Sequence, residues 1–334
     1  MSISRSKRFS VVGILFCSLF LMSCNSPSDD VEVVEGIKLN RGSVIENDSG
    51  NYSNYNYLNG EYKKVESDEV IASYDHESGS YISQKEGKYI AFHSGKEIEL
   101  SNIKIGDGGI KLSPGGKYIS LYRYVDGIAT YKIIKLSDGE YLDFNPKTGI
   151  SGEFLDWVDD NSLVYYGVND EGINGIFTYN LKDQEEKLLY RIEDGIVQFL
   201  KTRSEGIIIV QESINDKKLL QVIDSKTGKI KTLSDDIIRL YDIVYSNDYY
   251  YILGEFKNEV LSIYRLKDGI HERVIFDFPS SIKVSNYGLS LDEEGNILFI
   301  GSNSNAKLEE VYKVSQDGTI RKVSQSKKEY AFVK

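Results

Sequence analysis

Sulfur is almost missing from this chain. Its two cysteines, Cys17 and Cys24, both fall within the first 24 residues, so the long remainder has no thiol to pair, to ligate a metal or to attack a substrate. Whatever holds the folded part together is not a disulfide framework. Histidine is nearly as scarce. His76, His93 and His271 stand at no metal-ligand spacing, and no G-x-S-x-G elbow, H-E-x-x-H helix, P-loop or EF-hand pattern occurs. The expectation is a protein without metal or cofactor. Basic residues are outnumbered, with 40 Lys and Arg against 51 Asp and Glu and a formal net charge of −11. Such a surface repels phosphate backbones, which argues against a nucleic-acid partner and against broad adhesion to anionic lipid headgroups. Beyond residue 22 no apolar run approaches the ~20 residues that a membrane-spanning helix needs.

What is present begins at the N-terminus. Arg5, Lys7 and Arg8 precede an apolar run from Phe9 to Met22, which Ser23 and Cys24 follow. That is the order of a charged, a hydrophobic and a small-residue region in an export signal. Leu21-Met22-Ser23-Cys24 resembles the lipobox of bacterial lipoproteins. The resemblance implies recognition through Leu21 and Ser23, removal of residues 1–23 and diacylation of the Cys24 thiol. Acyl chains add roughly 0.8 kcal/mol per buried methylene, so two or three of them tether a protein to a membrane without a spanning helix. Ser28-Asp29-Asp30 resembles the acidic export signal of many Bacteroidetes-type surface lipoproteins. The expected location is therefore the cell envelope, lipid-anchored at the outer membrane on its periplasmic or surface-exposed side. Residues 24–50, ending in Asp48-Ser49-Gly50, read as a flexible polar tether, and deletion of residues 26–50 should leave the melting midpoint unchanged.

After the tether the composition turns to β structure. Tyrosine is abundant at 25 residues, proline is limited to four, and Ile- and Val-rich runs alternate with Gly-containing turns. These runs repeat. One unit reads Ile110 to Leu121, with Ser113-Pro114-Gly115-Gly116 as its turn, then Tyr131 to Leu136, Ser137-Asp138-Gly139 and Tyr141-Leu142. The second strands of five successive units, marked by Tyr118, Leu163, Ile207, Tyr250 and Ile297, are spaced 43 to 47 residues apart. That is the length of one four-stranded propeller blade. With a shorter unit upstream, the expectation is an all-β propeller over 51–334 with about six blades, near 69–103, 109–145, 152–191, 196–234, 238–277 and 284–325. The phrases Leu112 to Leu121 and Gly87 to Phe92 resemble the turn of TolB-like six-bladed propellers, with Gly115 in place of the usual Asp. This resemblance implies a fold and no active site. Closure of the ring is left to one of two segments, the Tyr52 to Tyr62 run or the tail Tyr330 to Val333.

Propellers bind where inner strands and their incoming loops converge on the axis. Those loops offer Asp107, Glu193, Asp194, Asp235 and Asp236 as an acidic funnel, against the plain reading that turns are acidic because the whole chain is. Trp157 reads as a packing residue. Repeat architecture without a catalytic constellation points to a non-catalytic binding or scaffold module for an envelope protein, a peptide or a glycan. The alternatives are a funnel-site hydrolase or lyase acting on glycans, lactones or peptides, and a structural subunit of a secretion or uptake assembly.

Overall fold

The computed structural model describes residues 35–104, 106–276, 282–303 and 308–334. The export signal, Leu21, Ser23, Cys24 and the Ser28 to Asp30 run lie outside the described residues. Among the described residues no helix is long and apolar enough to cross a membrane.

The strands assemble into seven four-stranded antiparallel sheets. Each sheet packs on the next, and the last packs on the first. The protein is a seven-bladed β-propeller, one blade more than the repeat count predicts. Blades 2 to 7 each run in simple meander order over 70–99, 108–142, 149–191, 196–234, 237–273 and 283–322. Blade 1 is composite. Its three outer strands are Val44–Asp48, Asn51–Leu58 and Glu61–Lys64, and its innermost strand, Glu329–Phe332, comes from the other end of the chain. Val44 pairs with Phe332 and Asn47 with Glu329. Both closure candidates are therefore used, on opposite sides of one sheet.

Part of the expected tether is thus structural. Asp48-Ser49-Gly50-Asn51 is a two-residue hairpin turn, with φ of 57° at Ser49 and 94° at Gly50. Turns with positive φ at both central residues match the right-handed twist of the flanking strands, and small or polar residues followed by glycine adopt them. Glu86-Gly87, Asp126-Gly127 and Asp268-Gly269 are built the same way. A linker and a tight turn share this composition, and only the strand that follows tells them apart. In the Ser113-Pro114-Gly115-Gly116 phrase, Gly115 and Gly116 take φ of 73° and 61°. A Cβ on Gly116 would lie 2.4 Å from Ser80 of the preceding blade, so glycine lets two blades approach there.

The core is divided among seven apolar clusters, one for each interface between adjacent blades. The second strand of a blade shows how. In Ser162–Val168, Leu163 and Tyr165 enter the cluster shared with blade 3, while Val164 and Tyr166 enter the one shared with blade 5. Successive side chains point to opposite faces, and both faces are covered, so these strands read as unbroken apolar runs instead of alternating. Trp157 belongs to this core and donates from Nε1 to Ser120 Oγ at 3.0 Å.

Deleting residues 329–334 would strip blade 1 of its inner strand and expose the sites of Tyr330 and Phe332, each buried to 6% accessibility. At about 1.5–3 kcal/mol per large apolar side chain, the melting midpoint should fall steeply. Deletion of residues 26–50, which removes Val44–Asp48, should do the same. Calorimetry on either variant checks this.

Candidate functional site

The inner strands bring together charges that are far apart in sequence. Asp156 of blade 4 accepts from Lys111 Nζ of blade 3 at 3.2 Å and from the Thr202 amide of blade 5 at 2.8 Å. Asp242 of blade 6 repeats the pattern. Its Oδ1 accepts from Lys201 Nζ at 2.6 Å and Arg203 Nη2 at 3.1 Å, both from blade 5, and its Oδ2 accepts from the Leu289 amide of blade 7 at 3.0 Å. Two carboxylates thereby stitch blades 3 to 7 together. Asp242 is closed to solvent, with 3% of its side chain accessible, whereas Lys201 keeps 23%.

Burial opposes charge at both Asp242 and Lys201, and neighbours decide the outcome. At Asp242 burial pushes the carboxyl up, but Lys201, Arg203 and the Leu289 amide outweigh it and hold the group below its usual 3.8. At Lys201 burial wins over the attraction of Asp242, with Arg203 adding repulsion, and the ammonium falls to about 8. A carboxylate held ionised by so many donors is poorly suited to give or take a proton. The arrangement works as a clamp between blades.

The acids expected at a funnel sit in separate interblade loops, each engaged by its own neighbours. The Asp107 side chain is closed to solvent and receives a two-pronged contact from Arg123, 2.6 Å from both Nε and Nη2, plus the Lys104 amide at 2.8 Å. Burial raises its carboxyl, yet these donors hold it below 3.8. Asp235 pairs with Lys217 at 2.8 Å, and Glu193 lies 3.5 Å from Arg191. Asp194 accepts from the Ile214 amide at 3.2 Å, and the Asp236 carbonyl accepts from the Lys257 amide at 2.9 Å. The histidines are likewise dispersed: His76 Nδ1 meets the Leu39 carbonyl at 3.2 Å, His93 Nδ1 meets Ser80 Oγ at 2.8 Å, and His271 stacks on Phe256 at 3.9 Å.

Lys111, Asp156, Lys201, Arg203 and Asp242 were the residues missed by reading loops alone. Their signal is positional. In four successive repeats a charged residue stands inside the first strand, at Lys111, Asp156, Lys201 with Arg203, and Asp242.

Antiparallel order puts the second-to-third-strand turns and the interblade loops on one face of the ring. Most of the exposed large apolar side chains among the described residues gather there. They include Tyr124, Val125 and Ile128 at the tip of the blade 3 hairpin, Ile214 and Val260 in the corresponding turns of blades 5 and 6, and Phe276 in the loop to blade 7. Ile128 is 69% accessible and Ile214 is 82% accessible. In the described parts of these connections, acidic residues outnumber basic ones by more than two to one.

No family model matches the sequence, and no curated protein matches it. Solved structures match the fold. The propeller is similar to acylaminoacyl peptidase in complex with Z-Gly-Gly-Phe-chloromethyl ketone, at a TM-score of 0.56 and 13% identity over 86% of this chain and 51% of that one. It is similar to the β-propeller domain of the Trilobed protease from Pyrococcus furiosus, whose velcro topology is open, at 0.53 and 14% over 84% and 92%. TolB from Acinetobacter baumannii aligns at 0.48 and 12% over 79% of this chain and 65% of that one. The chain thus spans about two thirds of that TolB and about half of the peptidase. At such identities the likeness is one of fold.

Asp242→Asn should destabilise the ring by about 3–5 kcal/mol, because Lys201 and Arg203 would remain in place without a counter-charge. The stability that ionised Asp242 contributes is present above its unfolded pKa near 3.8 and is lost as pH falls through the lower folded value. Native protein should therefore lose stability on acidification below about pH 4 by an increment that Asp242→Asn lacks. Urea melts across that range measure it.

Proposed function

We propose that the chain is an envelope lipoprotein whose propeller is a non-catalytic binding module, and that the loop-bearing face holds a partner protein. One observation carries this reading: most of the exposed large apolar side chains among the described residues lie on one face of a ring whose buried apolar side chains are packed between blades. Isolated surface apolar residues need no explanation, but a face that collects them marks an interaction surface. The acidic loops around them, with Asp107, Glu193, Asp194, Asp235 and Asp236 among their residues, suit a partner surface that is apolar at its centre and basic at its rim. Asp156 and Asp242 are committed to bridging blades, which leaves them poorly placed to serve a hydrolase or lyase at the axis.

Attachment through Cys24 would place this face within reach of other envelope proteins. Cells fed an alkyne palmitate analogue should label the native protein and leave Cys24→Ala unlabelled; absence of label on the native protein would refute the anchor. For the face, Ile128→Asp combined with Ile214→Asp should abolish a stoichiometric crosslinked adduct formed in intact envelopes while leaving the melting midpoint unchanged. An adduct that survives both substitutions would move the interface elsewhere.

A further inference from the structure

On the face opposite the interblade loops, a groove of about 710 Å³ opens between the outer strand of blade 5 and the turns of blade 6. Its volume falls within the roughly 300–1,000 Å³ typical of ligand sites. The floor is apolar, formed by Leu233 and Leu266, both buried. One wall carries Tyr245 and Tyr250, cross-strand partners with ring centroids 4.9 Å apart and planes inclined at 58°. Both rings are half-buried, and neither hydroxyl is hydrogen-bonded to another described residue. Burial, with Glu205 and Tyr245 nearby, raises the Tyr250 hydroxyl above its usual 10, so it stays protonated and able to donate.

The rim carries two cations and two carboxylates. Lys267 lies 3.9 Å from Asp248. Lys231 and Asp268 have no charged partner among the described residues. The site therefore combines inclined aromatic faces, unbonded hydroxyls, separate ammonium and carboxylate groups, and no excess of either charge. A pyranose has the matching features: an apolar C–H face that lies on an aromatic ring, and a rim of hydroxyls that each donate and accept. A short peptide would use the apolar floor and both charge types as well; the inclined ring faces bordered by unbonded hydroxyls favour the sugar.

We propose that this groove binds an oligosaccharide, with Tyr245 and Tyr250 stacking on sugar rings and Lys231, Asp248 and Asp268 bonding to their hydroxyls. The site lies on the face away from the proposed protein interface. One molecule could therefore hold a glycan and a protein partner together.

The test uses the full chain in detergent on an array of neutral, N-acetylated and uronic oligosaccharides, with retained species titrated by calorimetry. At least one class should bind, and Tyr250→Ala and Lys231→Ala should each weaken it by about tenfold. Tyr250 faces Leu266 across the sheet, so its loss can also loosen the blade. Lys231→Ala and Asp268→Asn remove groups without charged partners among the described residues and should melt like the native protein. Retention of no oligosaccharide, or equal binding by Lys231→Ala, Asp268→Asn and the native chain, overturns the proposal. So does preferential capture of members of a short-peptide library that the same substitutions abolish. Ile128→Asp with Ile214→Asp should leave glycan binding intact, which keeps this outcome separate from that of the protein-facing surface.

Discussion

The ladder between Glu329–Phe332 and Val44–Asp48 is the contact on which the ring depends. Each blade is a twisted sheet with two apolar faces, and neither face can be left in water. Stacking solves the problem for every blade except the first and the last, and closure solves it for those. The chain achieves closure by building one sheet from residues 44–64 and 329–332, so these segments are as structural as the middle. The cluster behind this sheet shows the consequence: Val44, Tyr57, Tyr330 and Phe332 pack with Leu298, Ile300 and Val311 of blade 7. Removal of Val44–Asp48 or of Glu329–Phe332 would expose a face of blade 7 as well as an edge of blade 1.

Closure also explains the behaviour of the charges near the axis. Inner strands are crowded where they converge, and each of those of blades 2 to 7 carries a register shift against its neighbour. Backbone amides that lack a ladder partner must find acceptors when they are buried. Asp156 and Asp242 supply acceptors to Thr202 and Leu289 while neutralising Lys111, Lys201 and Arg203. Their cost in desolvation is offset by several simultaneous bonds, the condition under which a buried ion pair is retained. With the frame locked in this way, the turns and loops are free to vary, and both proposed binding surfaces are drawn from them.

Much of the architecture was legible in the sequence because a blade is a local object. Strand, turn and strand follow one another within 43 to 47 residues, and Leu163 to Tyr166 or Ile207 to Val210 announce by their unbroken apolarity that both faces are buried. The composite blade broke this rule. Its strands lie at opposite ends of the chain, so no contiguous period records it, and Asp48-Ser49-Gly50-Asn51 has a composition shared by hairpins and linkers. The acidic loops were legible as acidic, yet Asp107 and Arg123, or Asp235 and Lys217, become pairs only once the strands between them are folded.

The sequence by itself determined the class of fold, the export-like N-terminus, the want of sulfur chemistry and the excess of negative charge. These are properties of composition and short-range order, readable without knowing what touches what. Tertiary structure alone decided that there are seven blades, that residues 44–48 belong to the ring, that Asp156 and Asp242 are clamps, and that Tyr245 and Tyr250 share a groove with Lys231. Those facts join residues tens to hundreds of positions apart, and only the packing of one sheet on the next brings them within reach.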